Sequence, residues 1–306
     1  MAVPLSHNQS AVLRHGLAVV GLLFACIHTP PGVSAAEEAL PLEGMAFDLW
    51  TDGDMLFTWG SLGGRKTRVI FSSVELGSFL SKNCALGKRL GKVWLGEGLE
   101  REVVLLEGGS LGGKPMGRLE VALTEEWKPS GARVWRLRDG RVLEEDDTQC
   151  IWVVGVAQQG SLLMEFKGGQ LYFRDAGFIA EGESIRFAEH PRLGIPFGQF
   201  MVFRHGRRIP LRLVLETGRW SSYVGRGVFS GREVLGERFE WEALWLSLET
   251  VLPAGNFEFG DSERYGPWAD GSVGMKAFEC CRLVWSPRQA TATVRMQSQV
   301  PGEAEP

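Results

Sequence analysis

The chain is poor in the residues that most often carry chemistry. It has 5 His, of which His7, His15 and His28 fall in or beside the amino-terminal leader, leaving His190 and His205. Acid–base work would therefore fall to carboxylates. Its 3 Tyr are too few for the aromatic girdles of an outer-membrane barrel, and it ends in the polar "QSQVPGEAEP". With 33 basic residues against 37 acidic ones it lacks the positive excess expected of a nucleic-acid partner. Long apolar runs are missing too. The run "LAVVGLLFACI", Leu17 to Ile27, covers 11 residues, against the roughly 20 that a bilayer-crossing helix needs.

That short run reads as the centre of an export signal. Arg14 and His15 precede it, Pro30 and Pro31 break any helix, and Val33, Ser34 and Ala35 supply small residues for cleavage after Ala35 or Ala36. Residues 1–36 are thus expected to be a signal peptide, sending the chain to the periplasm or outside the cell. In the alternative, Leu23, Phe24, Ala25 and Cys26 resemble a bacterial lipobox, and Cys26 would carry the lipid. Residues 37–44 serve as a linker in the first case and extend the tether from residue 27 in the second. Neither reading leaves a transmembrane span. Loss of the leader leaves 32 basic and 37 acidic residues, a formal charge of −5.

What the chain has in plenty is glycine (40 residues), tryptophan (11) and alternation of period two. "VWRLRDGRVL" sets Trp135 and Leu137 against Arg136 and Arg138 and turns at Asp139-Gly140, a strong hairpin signal. "FDLWTDGDMLFTW" turns at Asp52-Gly53, "LLMEFKGGQLYFRD" at Gly168-Gly169, and "FMVFRHGRRIPLRLVLE" at His205-Gly206. In "FEWEALWLSLE" the apolar phase slips between Trp241 and Leu244, which suggests a β-bulge. Strand phase assigns Trp135, Trp152 and Trp245 to the core. A helix is invited only by "SSVELGSFLSKNCALGKRLG", where Ser72 and Glu75 stand in capping-box register. The expected fold is all-β, an antiparallel sandwich or jelly roll of consecutive hairpins, with at most one or two short helices. The acidic "LEEDDTQ" (143–149) suggests a boundary between an N-terminal hairpin region (45–145) and a C-terminal β region (146–296), with 297–306 as a disordered tail. A single domain over 45–296 is the alternative.

Gly108, Gly109, Ser110, Leu111 and Gly112 spell G-x-S-x-G, the string of a nucleophile elbow. An elbow needs a helix after its serine, and Gly112, Gly113, Pro115 and Gly117 cannot sustain one. The pentapeptide GSLGG also occurs twice, at 60–64 and 109–113, each time between two apolar stretches. Ser110 is therefore expected in a repeated hairpin, and a serine hydrolase is disfavoured.

Four cysteines remain beyond the leader: Cys84, Cys150, Cys280 and Cys281. An even number in an exported chain favours disulfides. Neighbours on a strand point to opposite faces, so Cys280 and Cys281 are expected to bond not each other but Cys84 and Cys150. The spacings match no zinc pattern, and no metal or cofactor is expected.

Two features could hold a ligand. "NFEFGDSERYGPWADG" (256–271) breaks strand periodicity and reads as a loop, one that crowds Glu258, Asp261, Glu263 and Asp270 among Phe257, Tyr265 and Trp268, the aromatic-plus-carboxylate mixture a sugar site requires. Arg204, Arg207, Arg208 and Arg212 with His205 form a basic cluster suited to an acidic polymer. The functional expectation is a non-catalytic binding or structural module that meets a polysaccharide or envelope component. A glycoside hydrolase or polysaccharide lyase using Glu258, Asp261 and Glu263 is the alternative.

Overall fold

The computed structural model describes residue 40 and residues 42–75, 77–84, 86–94, 100–125, 127–128, 133–143, 148–156, 162–189, 195–229, 238–260 and 269–297. The leader with Cys26, and His190, lie outside these. The described residues are nearly all strand, and no helix among them reaches seven residues.

Among the described residues the strands form three sheets. The first is built from the N-terminal half, Trp50–Asp52 through Ile151–Gly155, and the second from Ala188–Glu189 through Gly271–Gly274. The third has six strands drawn from both ends and the middle. Ala46–Asp48 lies at one edge beside Gln170–Arg174 and Leu163–Lys167, and the hairpin Cys281–Ser286 and Thr291–Met296 leads to Glu183–Arg186 at the other.

The first two sheets repeat one topology. In the first, the hairpin Met55–Leu62 and Arg65–Ser72 is followed by Ser78–Ser81, and Leu119–Thr124 runs parallel to that strand. Ile151–Gly155 then inserts parallel to Arg65–Ser72 and antiparallel to Ser78–Ser81. In the second, the hairpin Pro196–Arg204 and Arg207–Glu216 precedes Ser222–Gly225, with Gly255–Gly260 parallel to it. Gly271–Gly274 inserts in the same way. The registers coincide: Gly155 faces Ser72, and Gly274 faces Glu216. Both glycines are needed there, because the loop between hairpin and next strand crosses directly above. A Cβ on Gly155 would run into Glu75 O, and one on Gly274 into Ser221 O.

The hairpins fall at the turns read from the sequence. Gly63-Gly64, Gly112-Gly113 and Gly168-Gly169 all take positive φ, and at His205-Gly206 the histidine itself does so, with φ 48°. The two GSLGG copies lie antiparallel against each other, Ser61 opposite Ser110, each ending in a Gly-Gly turn. Ser110 is the middle residue of the short strand Gly109–Leu111, with no helix behind it.

Four expectations are corrected. The stretch from Ser72 forms no α-helix. Ser72 Oγ does accept from the Val74 and Glu75 amides, both at 3.3 Å, but it closes a turn that leads into the strand Ser78–Ser81. The phase slip after Trp241 is a change of strand: Arg238–Trp241 pairs with Gly255–Gly260, and Ala243–Trp245 with Pro196–Arg204. Trp152 is buried, but Trp135, on a short outer hairpin, is 47 % exposed. Finally, the disulfide joins Cys84 to Cys150. Cys84 follows Ser78–Ser81, and Cys150 precedes the antiparallel neighbour of that strand, so strand pairing itself brings the two together. Cys280 and Cys281 sit at the six-stranded sheet as free thiols.

The core is continuous through Phe47, Phe71 and Phe173, then Trp152 and Trp285, to Phe239 and Phe257 in the second sheet. Among the described residues the buried carboxylates Asp52 and Glu165 each hold a partner. Asp52 pairs with Arg68, both almost wholly enclosed. Glu165, 1 % exposed, receives Arg174 at 2.6 Å and Arg282 at 2.5 Å. Removing one partner of such a pair costs far more than the pair contributes, because it strands a buried charge.

The disulfide closes a loop with a sequence separation of 66. Replacing Cys84 and Cys150 together by Ser should lower unfolding stability by about 2–5 kcal/mol in urea titrations. Peptide mapping of the native chain should recover those two cysteines linked and Cys280 and Cys281 open to alkylation.

Candidate functional site

The two repeated units meet where their long hairpin strands end. Ser73 and Thr217, each one residue past a strand end, bond to each other's backbone with two-fold regularity. The Ser73 amide donates to Thr217 Oγ1 at 3.0 Å, and the Thr217 amide donates to Ser73 Oγ at 3.1 Å. Each hydroxyl then donates to the carbonyl two residues before its partner: Ser73 Oγ to Leu215 O at 2.5 Å, and Thr217 Oγ1 to Phe71 O at 2.8 Å. Both residues are buried, so these polar groups have no water to fall back on.

One residue earlier the regularity breaks. The equivalent positions are Ser72 and Glu216, both buried. The Ser72 hydroxyl is taken up by the turn amides of Val74 and Glu75. The Glu216 carboxylate accepts from Arg219 Nε at 3.1 Å. Arg219 is also the meeting point of other groups. Its Nη1 bonds Asp54, which reaches over from the turn before Met55–Leu62, and its guanidinium lies 4.8 Å from the Trp127 ring centre and 5.9 Å from that of Tyr223. The backbone ties the same segments together: the Trp220 amide donates to Asp54 O at 2.6 Å, the Ser221 amide to Asp54 Oδ1 at 3.2 Å, and Leu56 N to Gly218 O at 3.0 Å. Burial raises the Asp54 carboxyl above its ordinary 3.8 despite the opposing pull of Arg219. Burial, with the negative charge of Asp54 and Glu258, likewise raises the Tyr223 phenol.

Beside this centre opens a cavity of about 440 Å³, walled by Ser221, Trp241, Asn256, Lys276, Glu279 and Cys280 among others. Trp241 donates its indole N–H to Pro253 O at 3.1 Å, which fixes the ring. Hydroxyl, amide, ammonium and carboxylate side chains thus line one cavity, with the buried Trp241 behind them. Among the described residues, no group of three or more His, Cys, Asp or Glu is arranged to hold a metal.

The residues singled out from the sequence are placed as follows. Glu258 lies on Gly255–Gly260, at the rim of the same centre, and accepts from Ser221 Oγ at 3.3 Å with Arg238 at 4.0 Å. That stretch is a strand, where the sequence suggested a loop. Asp261, Glu263, Tyr265 and Trp268 lie outside the described residues. Asp270 accepts from Arg212, 2.7 Å from its amide and 3.2 Å from its side chain. The arginines do not converge on a common point: Arg204 lies over Phe239 at 4.4 Å, and Arg208 over Trp245 at 5.6 Å. Arg207 faces Arg204 across the hairpin turn.

The sequence reading passed over Ser73, Thr217, Glu216, Arg219 and Asp54. A signal for them exists in two stretches, "RKTRVIFSSVELGSF" (65–79) and "RRIPLRLVLETGRWSSY" (207–223). Each runs from a basic hairpin turn through alternating apolar residues to a hydroxyl residue, then to an aromatic seven residues past the strand end.

No family model matches the chain, and no curated relative does. Among solved structures it is similar to an aspartic proteinase from Irpex lacteus, with a TM-score of 0.50 and 9 % identity over 86 % of this chain and 100 % of that one. At that identity the likeness shows a shared all-β fold.

Two outcomes test the centre. Thr217→Val keeps the side chain's shape but leaves Phe71 O and the Ser73 amide without their buried partner. Unfolding stability should drop by about 1–3 kcal/mol, while Thr217→Ser, which retains the hydroxyl, should cost less. For Asp54, the raised carboxyl means that the folded chain holds this proton more tightly than the unfolded one. That contribution is full below 3.8 and is lost as pH rises through the raised value. The stability of Asp54→Asn relative to the parent should therefore grow as pH climbs from about 4. A difference that shrinks instead would mean that the Arg219 attraction outweighs burial.

Proposed function

We propose that this chain is an exported, non-catalytic binding protein built on an aspartic-proteinase-like frame. The observation that carries the reading is the unequal pair Ser72 and Glu216. Aspartic proteinases work through two carboxylates that share one proton, because like charges about 3 Å apart cannot both ionise. In a two-fold fold, such a pair belongs at equivalent positions where the halves meet. Here one position offers a hydroxyl occupied by its own turn. The other offers a carboxylate bonded to a guanidinium. Asp54 binds the same guanidinium through Nη1, so one cation engages both carboxylates.

Binding is favoured by the cavity next to this centre, where the fixed Trp241 ring stands among Asn256, Ser221, Lys276 and Glu279. Hydroxyl, amide, ammonium and carboxylate side chains on one cavity wall suit the hydroxyls of a sugar, so a glycan or polysaccharide of the envelope is the ligand class we favour. Export is supported by the disulfide, which suits an oxidising compartment, together with the signal-like leader. No helix among the described residues is long and apolar enough to cross a membrane.

The test is to incubate the mature protein with unfolded protein substrates and with a polysaccharide panel from pH 3 to 8. Retention on a polysaccharide, with no new amino termini and no new reducing ends, is the expected result. New amino termini that vanish in Glu216→Gln would overturn the reading in favour of a peptidase. Sugar release that vanishes in Glu258→Gln would overturn it in favour of a carbohydrate-active enzyme.

A further inference from the structure

The two free cysteines carry an inference independent of the binding reading. Cys281 opens the strand Cys281–Ser286 and stands directly across from Met296 on the neighbouring strand. Its sulfur lies 3.3 Å from Met296 Sδ and 3.9 Å from Cys280 Sγ. Three sulfur atoms, two thiol and one thioether, are thus gathered at one corner of the six-stranded sheet. The backbone beneath them is pinned: Gln297 donates from its amide to Cys280 O at 3.0 Å and from its side chain to Cys281 O at 3.4 Å. The corner is also reachable. Cys280 lines the 440 Å³ cavity together with Lys276 and Glu279, and Met296 is 44 % exposed.

We propose that Cys280, Cys281 and Met296 form a binding site for a soft monovalent cation, Cu(I) or Ag(I). Thiolate and thioether sulfur select such ions over hard cations, which prefer oxygen. Three sulfurs around one ion at metal–sulfur distances of about 2.3 Å stand roughly 4 Å apart, close to the separation of the two thiols. The thioether is nearer than that, and its flexible, unbranched chain lets it swing out to the same distance. Binding exchanges two thiol protons for the cation and leaves one net negative charge, with the Lys276 ammonium on the wall of the same cavity. No electron is transferred. The Cys84–Cys150 bond keeps the other two sulfurs out of the competition.

The experiment uses the full chain with Cys26→Ser as background, its disulfide intact, titrated with silver nitrate in chloride-free buffer. A parallel series uses Cu(I) under argon against a chromogenic chelator. Near-ultraviolet thiolate-to-metal absorption and native mass should report one ion bound per chain with loss of two protons. Cys280→Ser should abolish the absorption. Met296→Leu, at an exposed position, should leave the fold intact and weaken binding at least about tenfold, the size of loss seen even when outer-shell supports are removed. The proposal is overturned if no ion binds, if Cys280→Ser binds as the parent does, or if Met296→Leu leaves affinity unchanged. A mass showing Cys280 and Cys281 already joined to each other would overturn it as well. Unchanged circular dichroism in Cys280→Ser and Met296→Leu separates loss of the site from loss of the fold.

Discussion

Two side-chain hydroxyls hold the middle of this molecule together. Ser73 and Thr217 are 144 residues apart in sequence, yet each satisfies the other's amide and a carbonyl beyond it, in a place water does not reach. Everything that follows depends on that closure. It fixes the ends of the two longest hairpins against each other, so the last strand residues, Ser72 and Glu216, occupy matched positions. It also brings the segment 217–221 under the turn at Asp54. The repeated insertion of a strand into each unit, with glycine where the loop crosses, gives the closure its two-fold form.

Because the frame is matched, its departures from symmetry carry meaning. Hydroxyl stands opposite carboxylate, and a single guanidinium, Arg219, collects Asp54 and Glu216 between two aromatic rings. Such an arrangement spends its charges on one another. To one side lies the cavity walled by Trp241, Asn256 and Lys276. Geometry at the centre thus serves to hold the halves in place.

Alternation of period two and glycine turns made the strands legible, since both are local: the hairpins at Asp52-Gly53, Gly168-Gly169 and His205-Gly206 stand where the sequence puts them. The GSLGG pair was legible for the same reason. What was not legible required pairing across long separations. The partner of Cys84 was set by the insertion of Ile151–Gly155 beside Ser78–Ser81, a placement that no local pattern announces. The apparent helix after Ser72 failed because its capping contacts are real but serve a turn, and strand pairing then claims the following residues. The central site was hidden twice over. Its residues are of ordinary types, Ser, Thr, Glu and Arg, and the repeat that relates them is one of topology, with only a faint echo in the letters. The 256–271 stretch was read as a loop because its carboxylates masked the alternation of Phe257 and Phe259 about Glu258, which is strand.

The six-stranded sheet has a consequence for how the chain comes into being. Its strands come from residues 46–48, 163–174, 183–186 and 281–296, and its central hairpin is the last to be made. As the chain emerges, Leu163–Lys167 has Gln170–Arg174 on one side and an open edge on the other until Cys281–Ser286 arrives. Long-range pairing of this kind is slow, and an unpaired apolar edge invites association with other chains. Completion of the sheet thus waits until residues 281–296 have been made, and that hairpin acts as the closing piece that protects the strands laid down before it.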